Sequence, residues 1–161
     1  MIYTTITGRA FDLKRLKWPE AAFLKYCLGI YRTNPDVEGF GRCWKAEAER
    51  TGLPPESVAH RVAQDLETRL GIQQGRCMLP GFMEYIRDKM SDHESKAGFC
   101  QTMGILRDEL DSVLAPGQGL TVALVERVLA KTGAVLTVQA EKEAHEACSP
   151  ARAVEMLKFL K

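Results

Sequence analysis

The sequence predicts a mainly α protein in two parts with minor β structure, and three observations carry that prediction. Apolar residues recur at helical spacing, as in Ala22, Leu24, Cys27, Leu28 and Tyr31, and in Val58, Val62, Leu66 and Leu70. Helix punctuation falls beside those repeats: Pro19, Pro54-Pro55 and Ser149-Pro150 at starts, Gly52 and Gly133 at ends. Strand-like alternation is confined to short stretches near residues 2–7, 72–79 and 134–140. The chain has 161 residues, room for one ordinary domain or two small ones, and the boundary is expected near residue 80.

Taken in order, Ile2 to Thr7 alternates β-branched and aromatic residues and closes at Gly8, which predicts a short strand. "KWPEAAFLKYCLGIYR" predicts the first helix, and "TNPDVEGFG" a loop. "RCWKAEAERTG" predicts a second short helix capped by Gly52. Pro54 and Pro55 then favour the first turn of a third helix over about Glu56 to Leu70. Beyond it, Ile72 and the segment Cys77 to Leu79 flank a glycine turn, the pattern of a two-stranded ribbon. The second half reads as the helices "FMEYIRDKM", "ESKAGFCQTMG", "LRDELDSVLA" and "LTVALVERVLAKTG", a short strand "AVLTVQA" and a last helix starting at Ser149.

Composition narrows the class. A hydrophobic share of 45% with 27% charged residues is that of a globular protein, and no apolar run approaches the ~18 residues of a membrane span. The first residues lack a basic segment followed by an apolar run, and five scattered cysteines contain no Cys-x-x-Cys pair. Both features lead us to expect a cytoplasmic protein with reduced thiols. Residues 1–80 hold 12 Lys or Arg against 9 Asp or Glu, and residues 81–161 hold 10 against 12, so an anionic partner would meet the first half.

One stretch carries a functional expectation. A helix-turn-helix unit needs a small residue where its helices approach, a glycine in the turn, an apolar residue after it, and another that seats the second helix. Ala48, Gly52, Leu53 and Val58 satisfy those steric offsets. With Cys43-Trp44 before the turn and "DLETRLGI" after it, residues 16 to 80 resemble the winged helix-turn-helix domains of bacterial and phage regulators and replication proteins. The resemblance implies a winged helix-turn-helix-like N-terminal domain over 1–80 and a small helical C-terminal domain over 81–161. It also implies that the 56–70 helix lies in the major groove of duplex DNA.

On that reading Ser57, His60, Arg61 and Gln64 face base edges, where Arg and Gln can pair with guanine and adenine. Arg42, Lys45 and Arg50, with Arg76 in the wing, meet phosphates, together with the cluster Arg9, Lys14, Arg15 and Lys17. The function implied is control of transcription or replication. Against it, six Lys or Arg in residues 42–76 meet five acids, less basic than a DNA-binding domain usually is. The alternative is a small helical adaptor or regulator that binds another protein and not DNA.

The offsets recur 52 residues later in Cys100, Gly104, Ile105, Leu110 and Val113, which resemble a Cro/repressor-type helix-turn-helix. Asp108, Glu109 and Asp111 would repel phosphates there, so this part is expected to pack or to form a homodimer through 81–161. No nucleotide-binding or hydrolase motif occurs, so neither catalysis nor a cofactor is expected. His145 and Cys148 sit three apart, but two ligands do not make a zinc site, and no metal is expected. Trp18, Phe23, Tyr26 and Tyr31 are assigned to the first helix and its core, leaving no base-stacking platform.

Overall fold

The computed structural model describes residues 1–77, 79, 81–115, 120–137 and 141–160, which are mainly helical with one small two-stranded sheet. The chain divides into two compact units, Met1–Leu79 with Ala140–Lys161, and Pro80–Gln139. This departs from the expected division into 1–80 and 81–161: the last residues join the first unit. The reason is packing, because Ala153, Leu157 and Leu160 are buried in the same apolar cluster as Tyr3, Leu24 and Leu66.

In the first unit, β1 (Ile2–Thr4) pairs antiparallel with β2 (Ala10–Asp12), Tyr3 standing opposite Phe11. The expected strand over 2–7 stops early because the chain turns at Gly8, whose φ is 83° and whose N–H donates to Thr5 O. Helix α1 (Trp18–Thr33) begins where Glu20 accepts the Lys17 N–H at 3.0 Å. Helix α2 (Val37–Thr51) starts well before Arg42, since Asp36 accepts the Gly39 N–H at 2.8 Å and caps it there. It ends at Gly52, in the left-handed conformation at φ 62°.

Helix α3 (Val58–Gln73) also differs from expectation at both ends. Pro54 and Pro55 lie outside it, in a turn closed by Ser57 N–H donating to Pro54 O, and Ser57 supplies the cap by accepting the His60 N–H. A proline has no side-chain oxygen, so the first residue able to cap sets the start. At the other end Ile72 is helical and buried, and both Arg76 N–H and Cys77 N–H donate to Gly71 O. The expected ribbon therefore loses its first strand: these bonds close a helix and leave no edge to pair. Met78, within the expected second strand, lies outside the described residues.

Gln74 fastens this corner to the start of α2, accepting the Val37 N–H at 3.1 Å and donating to Pro35 O at 2.7 Å. Helices α8 (Glu141–Ala147) and α9 (Pro150–Met156) follow, α9 with Ser149 as its cap. In the other unit, α4 (Phe82–Met90), α5 (Lys96–Met103), α6 (Arg107–Leu114) and α7 (Val122–Lys131) enclose Ile86, Phe99, Ile105, Leu110, Val113 and Val128. Residues 134–137 of the expected strand are not in a strand, and residues 138–140, like the loop 116–119, lie outside the described residues. Among the described residues no helix is long and apolar enough to cross a membrane.

Candidate nucleic-acid interface

The steric demands behind the helix-turn-helix expectation are met in part. Ala48 is buried, Leu53 and Val58 are half-buried against the core, and the Leu53 N–H donates to Ala48 O at 2.9 Å. Gly41 on α2 leaves room for the Glu67 carboxylate of α3: a Cβ there would meet its oxygen at 2.3 Å. The connection between the helices is longer than the offsets imply, because α3 does not begin until Val58.

Of the four residues expected at base edges, Gln64 is exposed and Arg61 half-buried one turn before it. Ser57 is half-buried and its hydroxyl oxygen is engaged as the cap of α3. His60 turns toward α2, its ring edge-on to Trp44 with centroids 4.9 Å apart, and its buried Nδ1 has no hydrogen-bond partner among the described residues.

Burial, with the nearby Arg61 charge, lowers the His60 pKa below its ordinary 6.5. The sign of the consequence follows: an unfolded chain takes up the proton first as pH falls, so stability is intact above about 6.5 and declines below it. His60→Gln is expected to flatten that decline, as read from urea midpoints between pH 7.5 and 5.

The expected phosphate contacts are mostly engaged with acids. Lys45 pairs with Glu67 at 2.9 Å, Arg50 grips Glu47 through two bonds of 2.7 and 2.6 Å, and Arg76 lies 3.9 Å from Glu38. Arg42 is exposed and has no ion pair among the described residues. Arg9 is buried, whereas Lys14, Arg15 and Lys17 are exposed. Two aromatic residues also depart from expectation. Phe23 is buried and Tyr31 half-buried in the core, but Trp18 is 82% exposed and Tyr26 42% exposed, because both fall on the side of α1 turned away from the cluster.

Sequence reasoning missed the most heavily engaged polar group. Asp65 and Arg69, four apart on α3, count in the sequence only toward the charge balance of residues 42–76, yet both are buried and paired. Asp65 accepts from the Tyr3 hydroxyl at 2.6 Å, the Ile6 N–H at 2.8 Å and Arg69 Nε at 2.7 Å. Arg69 also donates to Thr4 O, Ala147 O and Ser149 O. The network ties α3 to the hairpin and to the α8–α9 corner. Their spacing beside Val62, Leu66 and Leu70 was the available signal, since it leaves them bordering the apolar stripe.

A cleft of about 320 Å³ opens beside Arg69, and His145 and Cys148 line it with Ile72, Gln73 and Lys142. Burial pushes the Cys148 thiol pKa up, which disfavours its thiolate form. Among the described residues no three His, Cys, Asp or Glu side chains converge as a metal-binding group.

In the other unit the turn at Gly104 repeats that at Gly52. Its φ and ψ are 63° and 32° against 62° and 32°, and the Ile105 N–H donates to Cys100 O as Leu53 does to Ala48. Here α6 starts only three residues after the glycine. Two of its acids brace neighbouring helices: Glu109 meets Arg127 at 3.3 Å and Lys131 at 3.9 Å, and Asp111 pairs with Lys96. No family model, curated protein or solved structure matches the chain.

Proposed function

We propose that the protein is a DNA-binding regulatory protein, acting in transcription or replication control, whose α3 helix meets duplex DNA. The observation that carries this reading is the α2–α3 corner, with Ala48 buried, Gly52 left-handed, and Arg61 and Gln64 following on α3. Arg42, with no ion pair among the described residues, supplies a cation for phosphate on the preceding helix. Five free cysteines suit a reducing compartment, and we place the protein in the cytoplasm. The Pro80–Gln139 unit supplies the contact of a homodimer, offering Leu106, Val122 and Val135 as exposed apolar side chains.

A second reading, an adaptor that binds another protein, is favoured by the acid partners of Lys45, Arg50 and Arg76, which leave little net positive charge beside α3. Fluorescence anisotropy of a labelled random-sequence duplex of about 30 base pairs separates the two, measured at low and moderate salt. Steeply salt-dependent binding, weakened by Arg61→Ala or Gln64→Ala without loss of thermal stability, is the outcome expected of α3 as the reader. Loss of one paired base contact is expected to cost about 1–3 kcal/mol at a preferred site. Absence of binding even at low salt would favour the adaptor.

A further inference from the structure

Trp18 is the most exposed large apolar side chain among the described residues, at 82%. It opens a stripe along α1, because positions 18, 25 and 32 recur at intervals of seven and share one helix face: Trp18, Lys25 and Arg32. At 1.5 Å per residue the stripe runs about 21 Å. Lys14, Arg15 and Lys17 lie exposed just before it.

Charge on this surface is predominantly positive. Residues 14–33 hold five Lys or Arg and a single acid, Glu20, whose carboxylate accepts the Lys17 backbone N–H. Arg15 lies 3.8 Å from Asp12, whereas Lys14, Lys17, Lys25 and Arg32 have no ion pair among the described residues. Tyr26 is exposed beside the stripe, toward Glu47 and Arg50 of α2, which engage each other. This contrasts with the surroundings of α3, where Lys45, Arg50 and Arg76 are paired with acids.

An exposed indole within a row of unpaired cations suits a polyanion that also offers flat rings. We infer that the outward face of α1 binds single-stranded nucleic acid, Trp18 stacking on an unpaired base while Lys17, Lys25 and Arg32 hold phosphates. Duplex DNA keeps its bases stacked on one another, and an acidic peptide has no base to stack, so neither engages both parts of the surface. The inference concerns a different helix and a different form of nucleic acid from the α3 proposal and does not depend on it.

The chain provides its own probe. It has two tryptophans, and Trp44 is 2% exposed, so quenching of indole emission by an added strand reports Trp18. Titration of the 161-residue chain with an unlabelled mixed-sequence 12-nucleotide strand at low salt is expected to quench emission, with an affinity that falls as salt rises. Trp18→Phe is expected to abolish the quench while a labelled strand still binds. Trp18→Ala is expected to weaken binding roughly 5- to 150-fold, the loss of one base stack. Lys25→Glu with Arg32→Glu, both at exposed positions, is expected to weaken it and reduce its salt dependence, with the circular dichroism unchanged.

No quench at low salt would overturn the inference. So would a quench that survives in Trp18→Phe, or equal binding of inorganic polyphosphate or polyglutamate, which carry charge without bases. Gln64→Ala leaves the strand affinity unchanged if α1 is the surface, whereas a parallel loss of strand and duplex binding would assign both to α3 and overturn the α1 site.

Discussion

Asp65→Ala is expected to lower the stability of the first unit by about 3–5 kcal/mol, a large part of the ~5–15 kcal/mol that holds a domain folded. The substitution removes the acceptor of three hydrogen bonds at once, from Tyr3, Ile6 and Arg69, and leaves the Arg69 guanidinium buried without its counter-charge. Arg69→Ala is expected to cost a similar amount for a complementary reason: it strands the Asp65 carboxylate and withdraws the donors of the Thr4, Ala147 and Ser149 carbonyls. A buried ion pair can often be exchanged for two apolar residues with little loss, but here Asp65→Leu with Arg69→Met still unpairs those backbone groups. The double variant is therefore expected to remain destabilised. Urea titrations of the three variants, followed by circular dichroism, test this, and near-wild-type stability in the double variant would show that the pair acts as an ordinary one.

Tyr3 adds a pH signature to the same network. Burial first, and the Asp65 charge second, raise its pKa well above the ordinary 10.0. An unfolded chain releases the phenol proton earlier as pH climbs, so stability is intact below about 10 and falls above it. Tyr3→Phe removes this contribution and is expected to flatten the alkaline decline relative to wild type.

The second large effect is expected at Trp44. Its side chain is buried, its indole N–H donates to Glu67 at 2.9 Å, and its ring meets His60 edge-on. Trp44→Ala empties the α2–α3 seam and is expected to cost about 3–5 kcal/mol. Trp44→Phe keeps much of the ring and loses the hydrogen bond, for an expected cost nearer 1 kcal/mol plus the missing contact area. Because Glu67 also pairs with Lys45, either variant leaves that carboxylate one partner short. Two compact units permit two unfolding steps, so the comparison is made on the transition that shifts in Trp44→Phe. Equal midpoints for Trp44→Ala and wild type would mean that the seam does not hold the first unit together.

Local rules were legible where one residue decides the outcome alone. Gly52 ends α2, Gly104 ends α5 and Ser149 starts α9, because a left-handed turn or a capping oxygen depends on the residue at that place. The apolar repeats of α1 and α3 likewise fix which faces are buried in the core. Of the candidate interface, the chain itself determined the Ala48, Gly52, Leu53 and Val58 spacing and the outward position of Gln64. It did not determine that Ile72 continues α3, since a short apolar run beside a glycine suits a strand as well as a helix end.

Other features depended on residues far apart in the chain, and only the tertiary structure decided them. Asp65 and Arg69 are buried because Tyr3 and the backbone of residues 147 and 149 complete their hydrogen bonds, partners that no local pattern names. Lys45 finds Glu67 on another helix, which removes a cation from the face expected to meet phosphates. Trp18 stays exposed while Phe23 on the same helix is buried, since the core covers one side of α1 and not the other. The sequence alone thus determined most of the helices and the punctuation at Gly52, Gly104 and Ser149, which arise from interactions within a few residues. Burial and the pairing of charges were decided by packing, which brings together residues separated by most of the chain.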